Sequence, residues 1–217
     1  MSDTVQVTGL TVGPLAENCW VLTHAPSRTA VVIDPGDEAE RILAAVEEAG
    51  CVISAIWLTH AHFDHVGAVA ALLRAGSVPV LMHALDEPLY GFAASSAARW
   101  GIALEQPPAV TTRVQEGDVV TCGPASFTVW HLPGHAPGHV AFIGEGLCIS
   151  GDLLFAGSIG RTDLPGCDPT AMQRSLDRLV TLPPSTRVLP GHGVDTTIAR
   201  ERDQNAFLRG LARPVGA

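Results

Sequence analysis

The 217-residue chain has no lysine; all 13 of its positive charges are arginines. That excludes Schiff-base chemistry on a lysine amine and any phosphate loop that depends on one. Long apolar runs are also missing. The longest, around Val66–Leu73, is about eight residues, against the roughly 18 that a membrane span needs. Met1-Ser2-Asp3-Thr4 has neither a basic nor an apolar leader region, so no secretory signal is expected. No Cys-x-x-Cys pair occurs, and the five cysteines at 19, 51, 122, 148 and 167 are odd in number and widely spaced. A disulfide framework or cysteine-rich zinc site is therefore not expected, and a reducing, cytoplasmic compartment is. The arginines form no cluster, and 22 acids bring the net charge to -9, so neither nucleic acid nor a membrane surface is an expected partner. There is no G-x-S-x-G elbow to present a serine nucleophile.

What the chain does have is core-forming material. It is 47% apolar with a mean hydropathy of +0.26, and its length predicts one large domain, residues 1–217. Strands are predicted at Thr29–Pro35, Val52–Thr59 and Val78–His83, with helices over Glu38–Ala49 and from Val66 to Gly76. An alanine-rich helix is predicted for Ala84–Trp100. A β-rich stretch follows, with strands at Asp118–Thr121, Ala125–Leu132, Val140–Ile143 and Leu147–Ser150. Asp168-Pro169 reads as a cap and first turn of a helix carrying Met172, Leu176 and Leu179. Arg187–Leu189 reads as a short strand and Thr196–Leu211 as a last helix. This pattern predicts a layered α/β domain with sheet inside and helices outside.

The histidines carry the chemistry. Thr59-His60-Ala61-His62-Phe63-Asp64-His65 places four metal-ligating side chains in six residues, directly after an apolar strand. Imidazole and carboxylate donors suit zinc, iron or manganese. His135 in Pro133-Gly134-His135 and His192 in Pro190-Gly191-His192 each follow a strand on a stiff turn, and Asp152 ends another strand. Five imidazoles and two carboxylates exceed what one tetrahedral ion can use. They fit two divalent ions that share Asp152 with a water between them.

Those residues resemble the metallo-β-lactamase superfamily, and within it the glyoxalase II-like (hydroxyacylglutathione hydrolase-like) thioester hydrolases. Thr59–His65 matches the superfamily's T-H-x-H-x-D-H motif, and Gly151-Asp152 and Gly157–Gly166 are similar to the glyoxalase branch and to small single-domain members. The likeness runs from about Thr29 to Phe207. It implies a four-layer αββα sandwich, one site of His60, His62 and His135, and a second of Asp64, His65 and His192, with Asp152 bridging. It also implies two metal ions, zinc foremost with iron or manganese as alternatives. It further implies a hydroxide held between the ions as the group that would attack a thioester of the S-lactoylglutathione type, with Asp64 and Asp152 as the catalytic carboxylates. Arg161 falls where larger relatives place a basic residue near the glutathione carboxylate, so it is the candidate substrate-binding residue. Asp163 stands where those relatives tend to have tyrosine. Only 25 residues follow His192, so the helical domain with which glyoxalase II grips glutathione is not expected.

Two other readings accompany this one: a mononuclear iron persulfide dioxygenase using His60, His135 and Asp152, and a non-catalytic metal-binding domain. Among the remaining polar residues, Asp34 is read as a turn-former or as a carboxylate that orients a ligand loop. His139 is read as packing or support, His83 as a cap, His24 and His131 as surface or core, and Cys167 as incidental.

Overall fold

The computed structural model describes residues 4–216; Met1–Asp3, where no secretory leader is expected, lie outside the described residues. Two six-stranded sheets form the centre. The first runs in chain order through β1 (Gln6–Val12), β2 (Glu17–His24), β3 (Thr29–Ile33), β4 (Val52–Trp57), β5 (Val80–His83) and β6 (Thr112–Val114). The second holds β7 (Val119–Cys122), β8 (Ala125–His131), β9 (Val140–Gly144), β10 (Leu147–Gly151), β13 (Arg187–Pro190) and β14 (Thr196–Thr197). A small hairpin of β11 (Leu154–Phe155) and β12 (Ser158–Ile159) stands apart. The helices are α1 (Ala39–Glu48), α2 (Phe63–Val66), α3 (Val69–Ala75), α4 (Glu87–Gly91), α5 (Ala93–Ala98), α6 (Pro169–Leu179) and α7 (Ile198–Gln204).

Three buried clusters show how the layers stack. On β3, Ala30 and Val32 pack with Ile42 and Val46 of α1 and Leu72 of α3. Their neighbours Val31 and Ile33 point the other way, into an interior shared with Phe127, Val129, Phe142 and Ile149 of the second sheet. The second sheet's outer face (Ala141, Cys148, Val188) meets Met172, Leu176 and Leu179 of α6 and Ile198 of α7. The result is the αββα sandwich. Because the inner strands are buried on both faces, they read as continuous apolar runs rather than alternating ones. Trp57 sits in the sandwich interior, 1% exposed, with ring centroids 5.7 Å from Phe127 and 5.0 Å from Phe142. Trp57→Ala is expected to cost about 3–5 kcal/mol, lowering the thermal midpoint by on the order of 10 °C; a denaturant titration checks it.

The structure departs from the sequence expectations in several places, and the short strands β6, β11 and β12 are among the unexpected elements. Strands β1 and β2 have no counterpart there: β2 is buried at every position, which leaves no two-residue period to detect. The helix after His65 is broken at Gly67 into α2 and α3. Ala84–Trp100 is a 3-10 turn and two short helices. Pro88 lies in the first turn of α4, and its ring and missing N–H prevent the preceding turn from running on as one α-helix. Thr196–Leu211 shrinks to α7: Thr196 and Thr197 pair with β13, Thr197 caps the helix, and Asn205 is extended and ends it.

β3 and β4 run parallel, as do β10 and β13, so each pair delivers its C-terminal ends to one edge. That edge is stitched across the sandwich. Val140 N–H donates to the Thr59 carbonyl at 2.8 Å, and Asn18 N–H to the Gly191 carbonyl at 2.7 Å. No helix among the described residues is long and apolar enough to cross a membrane.

Candidate metal centre

All seven predicted ligands gather at that edge. Three ligand atoms from His60, His62 and His135 lie within 4.8 Å of one another, as do those of Asp64, His65 and His192. Asp152 stands between the groups. Its Oδ1 is 3.5 Å from His65 Nε2, and its Oδ2 is 3.5 Å from His135 Nε2 and 3.6 Å from His192 Nε2. Asp64 Oδ2 lies 3.3 Å from His192 Nε2.

The hydrogen bonds behind the rings settle which nitrogens face the centre. Asp34 takes the Thr59 N–H at 2.7 Å and the Thr59 hydroxyl at 2.6 Å. With its proton committed there, the Thr59 oxygen accepts from His60 Nδ1 at 3.0 Å. The Asp34 carboxylate also accepts from His65 Nδ1 at 3.2 Å. His135 Nδ1 donates to the Arg161 carbonyl at 2.8 Å. In each case Nδ1 is engaged outward and Nε2 is left facing the centre, the orientation a ligating imidazole needs. His62 Nδ1 lies 2.8 Å from His135 Nε2. Asp34, His60 and His65 also lie close enough together to hold an ion. The Asp34 oxygens, however, are occupied by these donors, so Asp34 acts as a support for the rings, matching one of its two expected roles. It is held with φ 49°, a left-handed backbone that an aspartate tolerates.

The donors fit a divalent cation. His60 Nε2, His65 Nε2 and Asp152 Oδ1 are buried and find no hydrogen-bond partner among the described residues. Each orphaned buried polar atom costs about 1–3 kcal/mol, and coordination by a cation would relieve all three. The titration behaviour points the same way. Burial, then the neighbouring rings, pushes His60 well below the ordinary imidazole value; burial, then His135, takes His62 down to about 3. Burial also disfavours the charged form of His65, but Asp152 and Asp64 outweigh it and hold its pKa well above the ordinary value. Against burial, His65, His135 and His192 keep Asp152 ionised far below the usual carboxylate range. The metal-free chain thus holds a proton among Asp152, Asp64 and His65 where a cation would carry the positive charge.

Other residues fall as follows. His139 is buried and packs against His60, with ring centroids 5.2 Å apart; it is outside the three-residue groups among the described residues. His83 caps the 3-10 turn by accepting from Leu85 N–H, and its ring stacks on His131 at 4.2 Å. The sulfur of Cys167 lies 3.0 Å from the His135 carbonyl. Arg161 reaches the centre through its carbonyl, while its exposed guanidinium pairs with Asp163 at 2.8 and 3.0 Å. Three supports on β2 were not legible in the sequence. Asn18 Nδ2 donates to the carbonyls of Pro190 and Gly193, and Trp20 Nε1 to that of Pro190, so both grip the His192 loop. Glu17 lies buried with Oε1 3.6 Å from His65 Nδ1. The only signal in the sequence was a polar Glu17-Asn18 pair opening an apolar run.

The comparisons agree with this geometry. Residues 12–192 match the family model described as the Metallo-beta-lactamase superfamily. The chain is 38% identical to the probable metallo-hydrolase YqgX of Bacillus subtilis, over 93% of this chain and 96% of that one. It is 34% identical to the hydroxyacylglutathione hydrolase GloC of Haemophilus influenzae, over 88% and 92%. A crystal structure of TTHA1623 in a di-iron-bound form superposes with a TM-score of 0.86 at 50% identity, covering 93% of this chain and all of that one. The family match, the shared sandwich and the His/Asp cluster suited to divalent metals lead to one assignment: the chain belongs to the metallo-beta-lactamase superfamily, among its hydrolase-type enzymes.

Proposed function

We propose that the chain is a thioester hydrolase working with two divalent cations, zinc foremost, on a small-molecule substrate of the S-lactoylglutathione type. The observation that carries this reading is Asp152: one buried carboxylate lies within 3.6 Å of imidazoles from both three-ligand groups. His60, His62 and His135 would hold one ion and Asp64, His65 and His192 the other. A bound pair of cations supplies Lewis acidity, making water acidic near neutral pH and polarising a carbonyl.

The protein's part is orientation and exclusion. Asp34, Thr59 and the Arg161 carbonyl fix the rings, so little reorganisation accompanies the reaction. Asp64, 17% exposed at its side chain, is the ligand best placed to accept a proton from an incoming water. Arg161 lies beside the His135 loop and is the candidate anchor for an anionic thiol carrier, where it competes with its own bond to Asp163. The resemblance to GloC supports the thioester as substrate.

A second reading, a mononuclear iron persulfide dioxygenase using His60, His135 and Asp152, rests on the two histidines and one carboxylate, a set that suits that chemistry; the 50%-identical structure holds iron, but two ions of it rather than one. One panel tests both. Protein loaded with zinc, and separately with iron, is given S-lactoylglutathione, a glutathione-free thioester, a β-lactam, and glutathione persulfide with oxygen uptake recorded. The expected result is thiol release at a kcat/KM of about 10⁴ M⁻¹ s⁻¹ or more, lost to a chelator and restored by metal. Oxygen uptake without thioester turnover supports the second reading. Inertness of fully loaded protein in every arm leaves a binding domain.

A further inference from the structure

Asp86 belongs to none of the ligand groups, yet it connects two of the loops that form them. It ends the 3-10 turn Ala84–Asp86 and is fully buried. Each carboxylate oxygen takes one backbone N–H: Oδ2 from Ala61 at 3.0 Å and Oδ1 from Gly138 at 2.5 Å. Ala61 separates His60 from His62, and Gly138 lies three residues beyond His135. The two amides therefore come from loops on different sheets, and those loops supply all three histidines of one group. The fit is tight, since a Cβ at Gly138 would stand 2.8 Å from both Asp86 N and Oδ1. Keeping a carboxylate here is costly: burial raises its pKa to about 6, against the pull of the two amides. Its bonded partners are the two amides rather than an arginine.

We infer that Asp86 is a positioning residue, a two-oxygen clamp that holds the His60–His62 and His135 loops in register so that their ring nitrogens converge before a cation arrives. It touches neither cation nor substrate. The inference rests on the metal-centre reading and is independent of which substrate is cleaved.

The isosteric variant Asp86→Asn keeps one acceptor and turns an amide N–H₂ against the other loop. Its metal-free form is titrated with Co(II) against a chelating competitor while the visible Co(II) spectrum is recorded. The comparison variant is Ile42→Ala, a core truncation on α1 that destabilises the fold away from the centre. The expected result is that Asp86→Asn weakens the first ion by at least about tenfold and alters the Co(II) spectrum, while Ile42→Ala lowers the thermal midpoint with wild-type affinity and spectrum. Wild-type affinity in folded Asp86→Asn overturns the inference, as does an equal loss in Ile42→Ala. If Asp86→Asn does not fold, the wild-type metal-free protein decides by NMR. The Ala61 and Gly138 amides are expected to exchange at least about 100-fold more slowly than in an unstructured chain; unprotected amides overturn the clamp.

Discussion

Asp152→Ala is expected to lose at least about a thousandfold in thioester turnover, equivalent to about 4 kcal/mol, and to bind fewer than two ions per chain. The carboxylate is the only group within 3.6 Å of all three of His65, His135 and His192 among the described residues. Its removal leaves Asp64 as the carboxylate of the second group and takes away the negative charge that stands between the two groups. It also removes the strongest influence holding the His65 proton, so the variant is not a simple truncation. Asp152→Asn separates charge from shape: it keeps the side chain's volume and one acceptor but carries no charge, and it should lose nearly as much. Metal content by elemental analysis, measured beside turnover, checks both. Full turnover by a one-ion Asp152→Ala protein would refute the two-ion version outright.

Gly191→Ala should inactivate the protein with far less effect on its stability. A Cβ at Gly191 would stand 2.2 Å from Asp152 Oδ1 and 2.7 Å from His65 Cε1, closer than a methyl carbon can stay to either atom. The fold can relieve the clash by pushing two side chains aside, a modest cost for a structure that otherwise keeps its core. The centre cannot, because a displacement of about 1 Å in a reacting constellation costs on the order of a hundredfold. The expected outcome is a loss of at least about a hundredfold in kcat/KM with weakened metal binding and a nearly unchanged thermal midpoint. Gly76→Ala is the matched control, since a Cβ there meets nothing within 4 Å and the backbone is extended. A Gly191→Ala protein as active as Gly76→Ala would show that Asp152 and His65 need not stand where they do.

How far the molecule could be read from its sequence differed from residue to residue. His60, His62, Asp64 and His65 were legible because one six-residue segment, a strand-end loop running into α2, carries all four, so their spacing alone implies convergence. His135, Asp152 and His192 were legible through the strand-end turns that support them. Asn18, Trp20 and Asp86 were not. Asn18 and Trp20 act on carbonyls about 170 residues away, and Asp86 acts on amides 25 and 52 residues away. No local pattern marks a side chain whose partner is someone else's backbone. The helix of Thr196–Leu211 was overextended for a related reason: it ends at Asn205, whose side chain is engaged by the distant Ser158 carbonyl and by Glu201. Ala84–Trp100 differs, because its breaker, Pro88, is local and its alanine-rich composition outweighed that signal.

By itself the sequence determined the donor types and the layered α/β class, because these follow from residue type and short spacing. Only the tertiary structure decided that Asp152 faces both groups, that Asp34 supports rather than ligates, and that the His60, His65 and His135 rings turn Nε2 inward. Those outcomes depend on hydrogen bonds and close approaches between segments that meet only when the two sheets stack and bring their strand ends to one edge.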